Sequence, residues 1–314
     1  MAEVLLYDHG PSPFARIVRL LLAEKNLGYK KRDVDYMAKS EHFEPWYAHV
    51  NPKMQVPSMT VKAEGKDKVT LTDSHDILVY MEKDFEGGTA LVDPRKQRDT
   101  WAFVDAFYDI KPMALFYQNF RDKSPAVLEM MKDMHRKWVQ VVEGNAEKYP
   151  ELKDVYLKKK EDMLAYRAAY MESSDAFAPN KKKVDDLVDR AEELLKDSET
   201  GFLFGDYSVA DVTLTCMLAM LVSFGFCSLE DKPNVAKFYN AAKKRPSWKA
   251  ADIQDTIPLK MKIMMAVGSF IYKIKAAIMP KVNEGMKEAD KIVSEIKETA
   301  TESLDKAIGV SQSK

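Results

Sequence analysis

The stretch Val4–Arg16, VLLYDHGPSPFAR, reads as a short apolar strand that turns sharply into a helix. Ser12 followed by Pro13 is typical of a helix start, because serine accepts hydrogen bonds from free backbone N–H groups and proline fits the first helical position. The helix is predicted to end near residues 26–28, with Gly28 as its cap, since glycine suits a helix C-terminus. An oxygen at the positive end of a helix can also help to hold an anion. Two interpretations of Ser12 therefore stay open, a plain cap and an anion-binding group.

The composition indicates a globular protein of about two domains, since 46% of the 314 residues are hydrophobic and 31% are charged. A formal net charge of −1 provides no field that would gather nucleic acid, so we expect no nucleic-acid partner. Cys216 and Cys227 lack the spacing of a zinc or disulfide site and the histidines lack that of metal ligands, so we expect no metal and a reducing compartment. The first residues contain no basic region followed by a long apolar run, so we expect no signal peptide and a cytoplasmic localisation.

Residues 1–86 alternate short β-rich runs with amphipathic helical runs, a pattern typical of an α/β domain. After the first strand and helix, further strands are predicted over 30–36, 58–62 and 68–71, and a polar turn joins the last two into a hairpin. Another helix follows a cap at 73–74. We therefore expect the first domain over residues 1–86.

Residues 94–250 carry long helical segments rich in aromatic side chains, and strand signals vanish, which predicts an all-helical second domain. Ser208 and Asp211 have the spacing of a capping pair before a very apolar helix, which we expect to be buried. The polar insertion around 149–183 contains two lysine triplets interspersed with acidic residues. We expect it to form an exposed helix and loop, with a solvated face rather than a phosphate-binding patch.

The tail, residues 257–314, is expected to be an amphipathic helical extension. Its segment 259–280 carries apolar residues and lysines but no acid. The uncharged run 263–272 has half of the about 20 residues that a membrane-spanning helix needs, so we expect no crossing. The segment can lie peripherally on an anionic, cytosol-facing membrane, or pack on the protein body or a partner, and both alternatives stay open. Beyond Pro280 a narrow apolar seam predicts a second helix.

The order of these elements resembles a cytosolic glutathione transferase, in which an α/β thioredoxin-like domain precedes an all-α domain. Four motifs carry the likeness, in the right order and spacing: Ser12–Arg16, Asn51–Pro57, Asp73–Ser74 and Ser208–Asp211. The segments 44–47 and 147–152 resemble more specifically the ganglioside-induced differentiation-associated branch of the superfamily, and less closely its bacterial dehalogenase branch. The fold expected from the resemblance is therefore the glutathione transferase fold with an extra C-terminal tail.

The resemblance implies a serine-type active site. In serine-type members, the hydroxyl at the Ser12 position donates to the sulfur of glutathione, and the thiolate then attacks an electrophile. Tyr7 is the other candidate for activating the thiol, as in tyrosine-type members, but it lies within the strand. Where cysteine-using relatives place their thiol this chain has Pro13 and Phe14, which does not support reductive dehalogenation.

Binding of glutathione is also implied by the resemblance. Val56 and Pro57 resemble the cis-proline turn that presents the backbone of the preceding residue to the peptide. Asp73, where relatives usually carry glutamate, and Ser74 would hold the γ-glutamyl end. The glycine end would meet Gln55.

Lys53 is a second candidate for the glycine end of glutathione. The second substrate would be a small hydrophobic molecule in an apolar cleft between the domains, lined by Phe14, Tyr108 and Phe116. The expected function is glutathione conjugation, as in detoxification. The alternative is a non-catalytic binding protein of the same fold that acts at a membrane surface through its tail. A homodimer is left open.

Overall fold

The computed structural model describes residues 2–257, 259–278 and 286–311. Its first part contains a four-stranded mixed sheet with the order β2-β1-β3-β4. β1 pairs in parallel with β2 and antiparallel with β3, and β3 pairs antiparallel with β4. The strands are β1 (Glu3–Asp8), β2 (Lys30–Asp33), β3 (Ser58–Lys62) and β4 (Val69–Leu71). The predicted strands are confirmed, except that β2 ends earlier, at Asp33.

Three helices accompany this sheet: α1 (Pro13–Glu24), α2 (Pro45–Val50) and α3 (Ser74–Lys83). Alternate side chains of β1 point to opposite faces, so Leu6 joins the main core with α1 and α3, whereas Tyr7 joins a cluster with Tyr47 of α2. α1 ends at Glu24, slightly before the predicted 26–28, and its C-cap is Lys25, so the prediction of Gly28 as the cap is wrong. Asn26 is the residue with positive φ, 54°, and asparagine tolerates that conformation better than other non-glycine residues.

The second part of the chain is helical, as predicted. It comprises α4 (Gln97–Tyr108), α5 (Pro112–Lys123), α6 (Pro125–Lys148), α7 (Lys153–Tyr166), α8 (Phe177–Lys196), α9 (Val209–Phe224), α10 (Pro233–Lys243) and α11 (Pro246–Ala250). A wider helical turn, Arg167–Glu172, continues from α7. The predicted capping pair is present, because the Ser208 N–H and hydroxyl both donate to the Asp211 carboxylate over 2.8 and 2.6 Å. The thioredoxin-like sheet domain and the helical domain together confirm the expected fold class, an α/β domain followed by an all-α domain.

Helix α1 joins the two parts of the protein. Its apolar face packs against the buried helix α9. At its end, Glu24 accepts two hydrogen bonds from Arg245, each of 2.7 Å, and one from the Ser247 hydroxyl. Near its middle, Arg19 donates to Asp8 over 2.5 Å and to the Ala251 carbonyl over 2.9 Å. Apolar packing, the Glu24–Arg245 ion pair and the bond from Arg19 to the Ala251 carbonyl therefore hold the sheet domain on the helical domain.

Helices α6 and α7 form a hairpin that lies over the α2 side of the sheet domain. The Asn145 amide and the Tyr156 hydroxyl both donate to the Phe43 carbonyl, each over 2.8 Å. Met54 and Met163 belong to the apolar cluster below these bonds. The prediction of an exposed helix and loop is therefore wrong for the inner face of α7, where Tyr156 is fully buried. Its outer face is exposed.

The tail forms helices α12 (Leu259–Ile278) and α13 (Met286–Ser311), which confirms its helical character. α12 lies along α6. Its Gly268 is so close to Met130 that an added Cβ would be 2.6 Å from the methionine sulfur. The face of α12 away from α6 exposes Leu259 and Phe270.

Of the two alternatives for the tail, packing on the protein body is therefore what the structure has. Among the residues described, no helix is both long and apolar enough to cross a membrane. Pro258 and residues 279–285, which include the end of the segment predicted for membrane contact, lie outside the described residues.

Candidate functional site

Ser12 caps α1, as predicted, and keeps a hydroxyl proton available. Its Oγ accepts a hydrogen bond from the Ala15 N–H over 3.3 Å, and Pro13 is the first helical residue. Its own N–H donates to the His9 carbonyl over 2.8 Å. The described part of the chain provides no acceptor for the Ser12 hydroxyl proton. A donor therefore remains at the positive end of α1, where a negative charge is favoured.

Tyr7 lies in a different environment from Ser12. Its ring packs against Trp46 and Tyr47, with ring centroids 6.2 and 5.9 Å apart. The side chain is 7% exposed, in the cluster between the sheet and α2. Tyr7 is thus a packing residue of this cluster, whereas Ser12 is half-buried at a helix terminus.

The loop 51–57 is tightly held by hydrogen bonds and contains the predicted cis peptide bond between Val56 and Pro57. The Asn51 amide donates to the Gln55 carbonyl over 2.8 Å, and its side-chain oxygen accepts from the Lys53 N–H over 2.9 Å. The side chains of Lys53 and Gln55 are exposed. The backbone is therefore held while both side chains predicted to meet glutathione face outward.

The Tyr36 hydroxyl already accepts a hydrogen bond from the Val56 backbone, which the resemblance assigns to glutathione. The Val56 N–H donates to the Tyr36 hydroxyl over 3.0 Å. The Tyr36 ring stacks on His42 with centroids 3.8 Å apart and an interplanar angle of 3°. Burial raises the pKa of Tyr36, so the hydroxyl stays protonated. A peptide that bound to the Val56 N–H would have to displace it.

His42 supports Tyr36 from the inside of the protein. His42 is 2% exposed, with its imidazole between Tyr36 and Phe43, and the centroid of the Trp138 ring lies 5.3 Å from that of the imidazole in an edge-to-face arrangement. Burial, and secondarily the charge of Lys159, lowers the pKa of His42 to about 3. His42 is therefore neutral near pH 7 and completes an aromatic wall behind the loop.

The start of α3 links the two domains. Asp73 caps the helix, because its carboxylate accepts from the His75 N–H over 2.9 Å. The buried Ser74 hydroxyl accepts from the Tyr108 hydroxyl over 2.9 Å. Burial raises the pKa of Tyr108, so that this donor keeps its proton. The Tyr108 ring also stacks on Phe14 at 6.1 Å. The structure thus brings Phe14, Tyr108 and Ser74 together.

Phe116 lies elsewhere. It packs against Phe224 and Phe226, with centroids 4.2 and 5.5 Å away. Beside Phe14 there is an apolar crevice of about 10 Å³, far below the about 300–1,000 Å³ of usual ligand pockets. Its lining comprises Pro13, Phe14, Ile17, Phe107, Ile110, Pro112, Leu115, Val184, Cys216, Met217, Met220 and Leu221. A hydrophobic substrate needs more room than this crevice has.

Lys159 is a site residue that sequence reasoning missed. Its ammonium donates to the Lys53 carbonyl over 2.7 Å, so α7 contacts the loop 51–57 directly. Burial lowers the pKa of Lys159 to about 8. The available signal was helical spacing, because Lys159 lies three and four residues from the buried Tyr156 and Met163. Among the residues described, no group of three or more His, Cys, Asp or Glu could hold a metal ion.

Several known proteins are similar to this chain, some along most of its length and some over one part of it. Tetrachloro-p-hydroquinone reductive dehalogenase of Sphingobium chlorophenolicum is 25% identical over 257 residues, 81% of this chain and 97% of that protein. Human ganglioside-induced differentiation-associated protein 1-like 1 is 34% identical over 85 residues, 27% of this chain and 22% of that protein. Among solved structures, the β-etherase LigF of Sphingobium sp. strain SYK-6 has a TM-score of 0.58 and 24% identity, over 79% of this chain and 98% of that one. That likeness shows the fold.

Two family models match the two parts of the fold. The model of the glutathione S-transferase N-terminal domain matches residues 11–84, which include Ser12, the loop 51–57 and the start of α3. The model of the glutathione S-transferase C-terminal domain matches residues 162–250, and together the two match about half of the chain. On the combined match of sheet domain and helical domain, the chain belongs to the glutathione S-transferase superfamily.

Proposed function

We propose that the protein binds glutathione and conjugates its thiolate to a small hydrophobic electrophile, with Ser12 as the donor to the sulfur. One observation carries this proposal: the Ser12 oxygen caps α1 through a lone pair and leaves its proton without an acceptor among the described residues. A thiol has a pKa of about 8.5, and a hydrogen-bond donor at a positive helix end favours the thiolate. The thiolate is the nucleophile that the conjugation requires.

The other predicted residues have positions compatible with holding the ends of the peptide. At one end, Ser74 is the first residue of α3, where free backbone N–H groups favour a carboxylate. At the other, the exposed Lys53 and Gln55 extend from a loop whose backbone is fixed. Since the similarity to the ganglioside-induced branch covers 85 residues, we propose this function at the level of the superfamily.

Cysteine chemistry is not proposed for this chain, although one relative is named a reductive dehalogenase. Cys216 is buried, and burial raises the pKa of its thiol to about 12. Burial also raises the pKa of Cys227. Neither thiol therefore forms the thiolate needed for attack near pH 7. The positions beside Ser12 carry Pro13 and Phe14, which have no thiol.

The experiment that tests this function compares two substitutions of Ser12. Ser12→Ala removes both the cap and the donor, while Ser12→Asp keeps an oxygen cap but places a negative charge against the thiolate. We expect both variants to lose at least about tenfold in kcat/KM for glutathione conjugation to an aryl halide, the equivalent of about 1.4 kcal/mol. Only Ser12→Ala should also unfold at lower temperature. Unchanged conjugation in both variants would contradict the assignment of Ser12.

A second candidate function is that of a non-catalytic binding protein of the same fold. The hydrogen bond from the Val56 N–H to the Tyr36 hydroxyl favours it, because glutathione would have to displace Tyr36 to use that N–H. Glutathione that binds the native state raises the melting temperature, because it stabilises that state by RT ln(1 + [L]/Kd). A melting temperature that does not change with millimolar glutathione would favour the binding protein over the transferase.

The membrane contact proposed for the tail rests on the outer face of α12. There Phe270 is 58% exposed, and Lys262 and Lys273 are exposed on the same helix. If the tail contacts an anionic membrane, the full chain should sediment with anionic vesicles at low salt, less at high salt, and not at all when it ends at Ile257. Equal sedimentation of the shortened chain would reject the contact.

A further inference from the structure

Among the described residues, the ammonium of Lys159 forms no ion pair: the nearby carboxylate of Asp162 raises its pKa, but pairs with Lys158 at 3.0 Å. The one hydrogen bond of Lys159 to these residues goes to the Lys53 carbonyl, 2.7 Å away. The neighbouring lysines are different: Lys158 pairs with Glu161 and Asp162, each at 3.0 Å, and Lys160 pairs with Glu143. A lysine ammonium has three N–H donors. Two of the three donors of Lys159 therefore remain available to a ligand.

The surroundings of Lys159 make an unpaired charge costly. The side chain is half-buried where α7 meets the loop 51–57. The neighbouring His42 is neutral near pH 7. Burying a charge without a counter-charge is unfavourable, so such groups are normally paired. An anion bound beside Lys159 would supply the missing partner.

The hairpin α6–α7 holds Lys159 in place before any ligand binds. Asn145 and Tyr156 attach the hairpin to the Phe43 carbonyl. The contacted loop carries Lys53 and Gln55, the residues predicted to meet the glycine end of glutathione. That end is a carboxylate. A charged donor that is already positioned binds with less loss of conformational entropy than a free side chain.

We propose that Lys159 binds the glycyl carboxylate of glutathione and makes the site selective for peptides with a free C-terminal carboxylate. The inference rests on the proposed use of glutathione, and it adds a ligand-binding residue from the inserted hairpin α6–α7. The Lys53 carbonyl keeps one donor of Lys159, and the carboxylate takes another. A residue of the helical domain thereby recognises the end of a peptide held by the sheet domain.

The test compares glutathione with its monoethyl ester, in which the glycyl carboxylate is esterified. Calorimetry on the full chain should show at least about tenfold tighter binding of glutathione than of the ester, because the ester cannot accept a hydrogen bond as a charged carboxylate does. Lys159→Met should weaken glutathione binding to the level of the ester and leave ester binding unchanged. Lys159→Arg should keep part of the preference, and the control Lys182→Met, at an exposed lysine of α8, all of it.

Three results would overturn the inference. The unmodified chain could bind both peptides equally, Lys159→Met could weaken both by the same factor, or it could leave the preference intact. Equal weakening would mean that Lys159 supports the loop and does not touch the carboxylate. If the unmodified chain binds neither peptide, the proposed function itself is wrong. The preference for the free carboxylate thus distinguishes a wrong role for Lys159 from a wrong proposed function.

Discussion

Single atoms decide the properties of this site. At Ser12 the cap uses a lone pair, so capping and donation to a sulfur do not compete. At Val56 one backbone N–H has one acceptor, the Tyr36 hydroxyl, so any peptide that needs this donor competes with Tyr36. At Lys159 the ammonium donates to a backbone carbonyl, whereas Lys158 and Lys160 on either side of it form ion pairs with carboxylates.

Tyr36→Phe should strengthen glutathione binding. The substitution removes the acceptor on the Val56 N–H and keeps the ring that stacks on His42. The bound peptide then no longer has to break a hydrogen bond worth about 0.5–1.5 kcal/mol, so Kd should fall by up to about tenfold. Calorimetry measures the change. Tyr29→Phe, which alters a half-buried tyrosine outside this loop, is the matched control. Weaker binding after Tyr36→Phe would show that the hydroxyl helps to hold the peptide.

Sequence could predict the parts of the site that depend on neighbours along the chain. The Ser12 cap and the Asp73 cap follow from residues within three positions, and the structure confirms both. The contacts of Tyr36 with Val56 and of Lys159 with Lys53 join residues 20 and 106 positions apart. No local pattern encodes such distances, because they depend on how the elements pack.

At the scale of elements, packing modified what propensity had predicted. The order of strands and helices follows from periodicity, and it is as expected. The inner face of α7 is buried because Tyr156 and Met163 meet an apolar surface that only the folded sheet domain presents. The apolar residue Met265 of α12 meets the cluster of α5 and α6. The sequence predicted an exposed helix for α7 and left the partner of the apolar face of α12 open, because both faces are decided by packing between distant elements.

Glu24→Ala should destabilise the protein strongly. Glu24 is 7% exposed and holds Arg245 and Ser247 at the junction of α1 and α11. Removing Glu24 leaves the Arg245 side chain, which is 30% exposed, without its carboxylate, and the lost charged hydrogen bonds should cost about 1.5–3 kcal/mol. Urea unfolding followed by circular dichroism should show this loss in the free energy of unfolding. Glu3→Ala, which removes an exposed partner of Lys30, should leave the midpoint nearly unchanged. Equal midpoints for the two variants would contradict a structural role for the Glu24 pair.

At the scale of the whole molecule, positive and negative charges nearly balance, but several histidines are buried in their neutral form. The formal net charge is −1, yet burial lowers the pKa of His9, His42 and His135. A histidine whose folded pKa lies below its unfolded value of about 6.5 binds a proton on unfolding. The contribution of these neutral histidines to the free energy of unfolding is therefore fully present above about pH 6.5 and is lost as the pH falls.

His42→Phe should flatten the acid side of the stability profile. Because the pKa of His42 is lowered to about 3, its contribution to the free energy of unfolding falls by up to about 1.4 kcal/mol per pH unit below pH 6.5. Asp211, with a pKa raised to about 6, acts in the opposite direction between about pH 4 and 6. The measurement is therefore the difference between variant and parent in urea unfolding from pH 7 to 5. A constant difference over this range would contradict a buried neutral His42.

The hairpin α6–α7 contacts the sheet domain through main-chain oxygens. Asn145 and Tyr156 bond to the carbonyl at position 43, and Lys159 bonds to the carbonyl at position 53. Every amino acid carries a carbonyl, so the exposed position 53 can change its side chain during evolution without losing the contact. The three donors have no such freedom. Related chains that keep this hairpin are therefore expected to keep hydrogen-bond donors at positions 145, 156 and 159, whichever residue stands at position 53.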